Sequence, residues 1–119
     1  MKSGLMPKIC KFALMKQKDF HIASLIRDRI NSVDSKAHVI IFGSRARGDA
    51  STDSDWDILI LTDYPVSIAI EDDFRDQLLD LEMETDQTLS IFIYQKSDWN
   101  TRHKITPLYA NVKKEGVLL

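Results

Sequence analysis

The sequence lacks the features that mark disulfide-rich, membrane-spanning or secreted chains. It contains a single cysteine, Cys10, so neither an intramolecular disulfide nor a cysteine-based metal cluster can form. Apolar runs such as Val39–Phe42 and Ile58–Leu61 are far shorter than the roughly 20 residues of a membrane helix. The basic start has no sustained apolar core and no small-residue cleavage site, which argues against a signal peptide. These absences predict a cytoplasmic chain without a membrane segment.

The chain also lacks a strong charge of either sign. Its formal net charge of −2 provides no overall basic surface, which argues against direct nucleic-acid binding. A length of 119 residues and an apolar content of 44% are ordinary for one globular domain. No internal repeat or low-complexity tract is visible. We expect a single domain over residues 1–119, in which residues 1–16 are irregular or only loosely attached.

Hydrophobic periodicity predicts helices alternating with short strands. The predicted helices cover residues 17–33, 44–48, 66–85 and 107–115. The predicted strands cover residues 37–42, 55–61 and 88–94. Thr106, Pro107 and Gly116 supply the N-cap, first-turn and C-cap signals of the last helix. This order predicts an α/β (α+β) fold, in which helices cover one face of a small mixed sheet.

The most informative stretch is a Gly-Ser pair followed ten residues later by two acids at the start of a strand. Gly43 permits close approach of backbone to a phosphate, and Ser44 offers a hydroxyl. Asp55 and Asp57 are two apart in a predicted strand, so they share a face. Their repulsion is relieved by a divalent cation such as Mg²⁺, which also binds phosphates. The alternatives are a strand-ending turn and a pair of solvated acids.

Two arginines follow the Gly43-Ser44 pair, which we call the phosphate cradle. Arg45 and Arg47 are candidates for bidentate contact with a phosphate, a geometry that the guanidinium group favours. Arg47 is the favoured contact of the two, and solvent-facing charge is the alternative for both. With the acid pair, the pattern predicts metal-assisted phosphoryl or nucleotidyl transfer.

Residues 43–60 resemble the signature of the minimal nucleotidyltransferases, which are small members of the DNA polymerase β-like superfamily. Their pattern is Gly-Ser, a short basic stretch, and an Asp-x-Asp pair at the spacing found here. Trp99, Thr106-Pro107 and residues 111–116 also resemble the small bacterial members. The resemblance implies the nucleotidyltransferase fold and Mg²⁺-dependent transfer of a nucleoside monophosphate, with ATP as the expected substrate, to an acceptor hydroxyl.

The sequence departs from the family at a third carboxylate, which the resemblance implies on the neighbouring strand. The family's acid falls nearest Ser90, which is neither a base at neutral pH nor a strong metal ligand. Asp86 lies four residues before Ser90, on the same side of the chain if the strand alternation is extended to it. It is our candidate third catalytic residue. Glu84, a partner-supplied acid, or no acid at all are the alternatives. A binding module of the same fold is therefore the rival to an active enzyme.

By resemblance, such small proteins pair with HEPN-type helical proteins as the antitoxin half of a toxin–antitoxin module, and some modify the partner with AMP. At 119 residues there is little room for an acceptor pocket, so we expect the acceptor hydroxyl on a partner protein. The acidic run over residues 71–86 is explained by a solvated helix face, with docking to a basic partner as the alternative.

Overall fold

The computed structural model describes residues 14–119. Three of the described residues, 14–16, belong to the segment that the sequence predicts to be loosely attached. Met15 is only 3% exposed and lies in the main core. The Lys16 Nζ donates a hydrogen bond to the carbonyl of Ala50 at 2.9 Å. Met15 and Lys16 therefore have no regular secondary structure but are attached to the domain, and the rest of the predicted segment, residues 1–13, lies outside the described residues.

Within the described part of the chain, four strands form one mixed sheet in the order β3-β2-β1-β4. The strands are β1 (His38–Phe42), β2 (Trp56–Thr62), β3 (Leu89–Gln95) and β4 (Val117–Leu118). β1 pairs antiparallel with β2 and β4, whereas β2 and β3 run parallel. The three strands predicted from the sequence are confirmed to within a residue at their ends. β4 was missed because two residues are too few to show a period.

The four predicted helices are present and differ in detail at their ends, and the sequence analysis missed a further short helix, Lys96–Trp99. The helices are α1 (Phe20–Val33), α2 (Ser44–Arg47), α3 (Ile68–Thr85), α4 (Lys96–Trp99) and α5 (Pro107–Glu115), with 3₁₀ turns at Gln17–Asp19 and Arg102–Ile105. The predicted N-cap of α5 is confirmed, because the Thr106 side chain accepts a hydrogen bond from the Tyr109 N–H at 3.1 Å. None of the helices in the described ranges is long and apolar enough to cross a membrane.

Helices cover both faces of the sheet, whereas the sequence predicted one covered face. On the first face, α1 and α3 pack against the side chains of Val39, Ile41, Trp56, Ile58 and Ile60. On the second face, α4 and α5 pack against Phe42, Leu59 and Leu61. The unbroken apolar run of β2 explains this arrangement, because a strand with two apolar faces must be buried on both. The predicted mixed α/β fold is confirmed. The correction is that α5 lies on the second face of the sheet, opposite α1 and α3.

Candidate functional site

The predicted site forms where the end of β1 meets the start of β2. Antiparallel pairing sets Phe42 opposite Asp57, so Gly43, the next residue, lies beside the acid pair. On the other side of β2, parallel pairing sets Ser90 of β3 beside Asp57. Asp57 shares its strand parity with Leu59 and Leu61, and therefore lies on the second face of the sheet, which α5 covers.

Gly43 is in direct contact with the Asp57 carboxylate. Its φ of 75° lies in the left-handed region that favours glycine. A Cβ atom added at this position would lie 2.2 Å from the Asp57 Oδ2, far inside van der Waals contact. The backbone turn predicted to receive a phosphate and one of the two predicted metal ligands therefore form a single surface.

The acid pair carries an excess of negative charge at this surface. Burial raises the pKa of the half-buried Asp57 carboxyl, and the charges of Asp55 and Glu115 raise it further, while Arg47 lowers it. Asp55 is exposed. Among the described residues, no group of three or more His, Cys, Asp or Glu side chains comes together as a metal site. The two aspartates fit a Mg²⁺ ion that takes its other ligands from phosphates and water.

The raised pKa of Asp57 has a consequence for stability. Asp57→Asn is expected to stabilise the fold at neutral pH, because it removes a charge that burial and Asp55 disfavour. In the native state the Asp57 carboxyl keeps its proton to a higher pH than it does in the unfolded chain. The free energy of unfolding therefore falls as the pH rises through the folded-state pKa of Asp57. The variant should gain on the order of 1 kcal/mol or less at pH 7.

Thermal unfolding measured from about pH 4 to pH 8 tests this expectation. The difference in Tm between wild type and Asp57→Asn should shrink as the pH falls and Asp57 takes up its proton. Asp53→Asn is the matched control, because it removes an exposed acid from the loop before β2. A variant Tm at or below that of wild type at pH 7 would contradict the expectation.

Arg47 lies at the cradle, as the sequence predicted. Its side chain is paired there with Glu115, an acid that the sequence analysis did not single out. Its Nη1 donates to both carboxylate oxygens of Glu115 at 3.1 Å, and its Nε donates to Asp49 at 3.1 Å. The same Glu115 carboxylate accepts the Gly43 N–H at 2.6 Å. The family resemblance of residues 111–116 includes Glu115 but gave this acid no role; the apolar pair Val117–Leu118 after Gly116 hinted at a strand returning to the sheet.

Arg45 is turned away from the cradle, which corrects its prediction as a nucleotide contact. The side chain is 3% exposed, and its Nη1 pairs with the Asp19 carboxylate at 3.1 Å. Its Nη2 donates to the backbone carbonyls of Thr52 at 3.3 Å and Ser54 at 2.8 Å. Arg45 therefore holds the loop that leads into Asp55, and acts on the site through that loop.

The indole of Trp56, between the two aspartates, belongs to the same anchor. The Arg45 guanidinium carbon lies 5.0 Å from its ring centroid. The Gln87 Oε1 accepts hydrogen bonds from the Trp56 Nε1 at 3.0 Å and from the Arg45 Nη2 at 3.3 Å. These contacts on the first face of the sheet hold Trp56, and with it the backbone between the two aspartates, in place.

The other two acids proposed from the sequence, Asp86 and Glu84, have surroundings of their own. Asp86 is exposed and ends α3 in a left-handed conformation with φ 56°. It lines a cavity of about 300 Å³ with residues of the 52–54 loop, and this lining includes neither Asp55 nor Asp57. Glu84 pairs with Arg29 of α1. The acids whose charges act on Asp57 are Asp55 and Glu115, so the structure does not support Asp86 as the third carboxylate.

Comparisons with known proteins bear on the family and the fold of this chain. A family model described as a nucleotidyltransferase domain matches residues 23–118. Among solved structures, the chain is similar to a mutant form of the toxin-antitoxin MntA-HpeT, with a TM-score of 0.54 and 20% sequence identity. The match covers 84% of this chain and 70% of that one, and at this identity it shows the fold. No curated protein matches the chain.

Proposed function

Because this chain belongs to the nucleotidyltransferase domain family, as residues 43–60 indicated, we propose that it transfers AMP from ATP to a hydroxyl group in a Mg²⁺-dependent reaction. The observation that carries the proposal is the contact between the Gly43 backbone and the Asp57 carboxylate. One surface thereby combines a place for phosphate with ligands for the cation that phosphate binds.

Each residue at this surface has a role in the proposal. Asp55 and Asp57 would hold Mg²⁺, which supplies charge neutralisation at the phosphates. The turn at Gly43 and Ser44 would receive a phosphate, and Arg47 would donate hydrogen bonds to it. The acceptor oxygen forms a bond to the α-phosphorus as the bond from that phosphorus to its bridging oxygen breaks, and pyrophosphate leaves.

The acceptor hydroxyl must also lose a proton in this reaction. A positioned base typically contributes ~10²–10⁴-fold to the rate. Ser90 lies beside Asp57 at the position where the family resemblance implies an acid, and the charge of Asp86 is not among those that act on Asp57. We therefore place the base on the partner that supplies the hydroxyl.

That partner, in our proposal, is a HEPN-type helical protein, and this chain is the antitoxin half of the pair. The solved structure with the same fold is named a toxin-antitoxin, which supports an assignment to this class of module. The exposure of Asp55 supports an acceptor that is delivered from outside the domain.

The proposal predicts that ATP binding depends on both the cation and the acid pair. Asp55→Asn/Asp57→Asn should weaken binding of ATP in the presence of Mg²⁺ by about tenfold or more, and a chelator should do the same to wild type. Calorimetric titration measures the three affinities. Asp53→Asn/Asp72→Asn is the matched control, because it removes two exposed acids outside the site. Equal affinity in all three conditions would refute the assignment of the acid pair.

The pairing of Ser90 with Asp57 favours one other function, a binding module that neutralises its partner by contact. ATP labelled at the α-phosphate separates the two. The complex of this chain with its co-purified partner is incubated with labelled ATP and Mg²⁺. Label on the partner supports the transferase. An intact complex that binds ATP and never labels the partner supports the binding module.

A further inference from the structure

The Glu115 carboxylate lies on the donors that the proposed function assigns to phosphate. Its Oε2 accepts the Gly43 N–H at 2.6 Å, and both of its oxygens accept from the Arg47 Nη1 at 3.1 Å. A carboxylate and a phosphate present the same chemistry to such donors, since each offers two charged acceptor oxygens. Glu115 therefore occupies the place that a phosphate group of the nucleotide needs.

The backbone on both sides of Glu115 is held in place. Glu115 ends α5, and the following Gly116 N–H bonds to the Val112 carbonyl at 2.7 Å. A Cβ at Gly116 would lie 2.5 Å from that carbonyl oxygen and 2.9 Å from the side chain of Ile40. One residue later, Val117 pairs with Ile41 of β1, the strand that leads directly into Gly43. The carboxylate thus belongs to the built site, with its side chain 16% exposed.

The charges at the site determine what can displace this carboxylate. A phosphate that enters beside Asp57 meets the charges of Asp55 and Glu115 as well, and the nearby cation is Arg47. Like charges at such short separations repel each other strongly. A divalent cation on the acid pair offsets this repulsion, so a polyphosphate that arrives with a cation has an advantage over one that arrives alone.

We propose that Glu115 is an internal phosphate mimic that competes with polyphosphate for the Gly43 N–H and Arg47, and thereby makes polyphosphate binding depend on a divalent cation. This inference rests on the proposed function and adds to it a residue that sets the cation requirement. Binding of substrate includes the release of Glu115 from its two donors.

Inorganic tripolyphosphate tests the inference without any turnover. Calorimetric titrations compare wild type with Glu115→Gln, each with and without Mg²⁺. Without Mg²⁺, the variant should bind tripolyphosphate about tenfold more tightly than wild type, because a neutral amide competes less well for a charged donor. With Mg²⁺, the gain should be smaller than without it, because the cation offsets the repulsion between Glu115 and the phosphate. Thermal unfolding confirms that the variant is folded.

Three further variants make the test specific to the cradle. Asp49→Asn removes a carboxylate from the same arginine without touching the Gly43 N–H, and should give a smaller gain. Glu71→Gln breaks an exposed pair with Arg75 on α3 and should leave binding unchanged. Glu115→Asp keeps the charge on a side chain one methylene shorter and should give an intermediate gain. This variant replaces Glu115→Gln in the test if Glu115→Gln does not fold.

The possible outcomes distinguish this inference from the proposed function. If wild type binds ATP with Mg²⁺ but folded Glu115→Gln gains no affinity for tripolyphosphate in the absence of Mg²⁺, the phosphate mimic is refuted and the transferase stands. If wild type binds neither ATP nor tripolyphosphate with Mg²⁺, the proposed function fails and the inference fails with it.

Discussion

Replacing Gly43 by valine is expected to abolish ATP binding. The added Cβ would lie 2.2 Å from the Asp57 Oδ2, and the backbone has φ 75°, which a β-branched residue adopts only with strain. Either Asp57 leaves the cradle or the turn changes its conformation, and both destroy the surface shared by phosphate and cation. We expect a loss of about 100-fold or more in affinity, which corresponds to roughly 2.7 kcal/mol.

Calorimetry with ATP and Mg²⁺ measures this loss, and circular dichroism shows whether the helix and strand content is kept. Gly43→Ala should lose most of the affinity as well, because the clash comes from the Cβ itself. Ala110→Val is the control, since it places the same side chain on the exposed side of α5. A folded Gly43→Ala protein that binds ATP as wild type does would show that the phosphate cradle lies elsewhere.

Arg45→Met is expected to cause the largest loss of stability of the variants considered. The guanidinium is 3% exposed, and its partner Asp19 has a side chain 6% exposed. Without the guanidinium, the Asp19 carboxylate is left buried and unpaired, and the loop carbonyls of Thr52 and Ser54 lose their donor. Breaking a buried pair in this way costs about 3–5 kcal/mol.

Urea denaturation measures the free energy of unfolding of Arg45→Met. The control Arg75→Met breaks an exposed pair with Glu71 and should cost about 0.5 kcal/mol. The double variant Asp19→Leu/Arg45→Met should be more stable than Arg45→Met alone, because the uncompensated charge is removed as well. A loss of less than about 1 kcal/mol in Arg45→Met would contradict a structural role for this arginine.

The contrast between Arg45 and Arg47 shows how far the sequence determines the site. Residues two apart on a helix do not face the same way, so α2 can direct only one of them at the cradle. Which one it is depends on Asp19, a residue 26 positions earlier whose carboxylate takes Arg45 into the interior. The sequence analysis favoured Arg47, but it had no local signal for the pairing with Asp19.

The strands and the acid pair were predictable for the opposite reason. The apolar run Ile58–Leu61 and the Gly-Ser motif are local features with a period or a spacing that can be read directly. Glu115 reaches Gly43 from 72 residues away, through a two-residue strand that pairs with β1. Such a contact exists only after the sheet has formed, so no local period or spacing predicts it.

Trp56 gives the site an optical probe of its own. Trp56 lies between Asp55 and Asp57 in the sequence, and its indole is fully buried. The ring packs against the guanidinium of Arg45, which anchors the loop that precedes β2. A change in that loop that moves Arg45 alters the surroundings of the indole, and so alters its fluorescence. The second tryptophan, Trp99, belongs to the core on the other face of the sheet, so Trp99→Phe leaves an emission that comes from Trp56 alone.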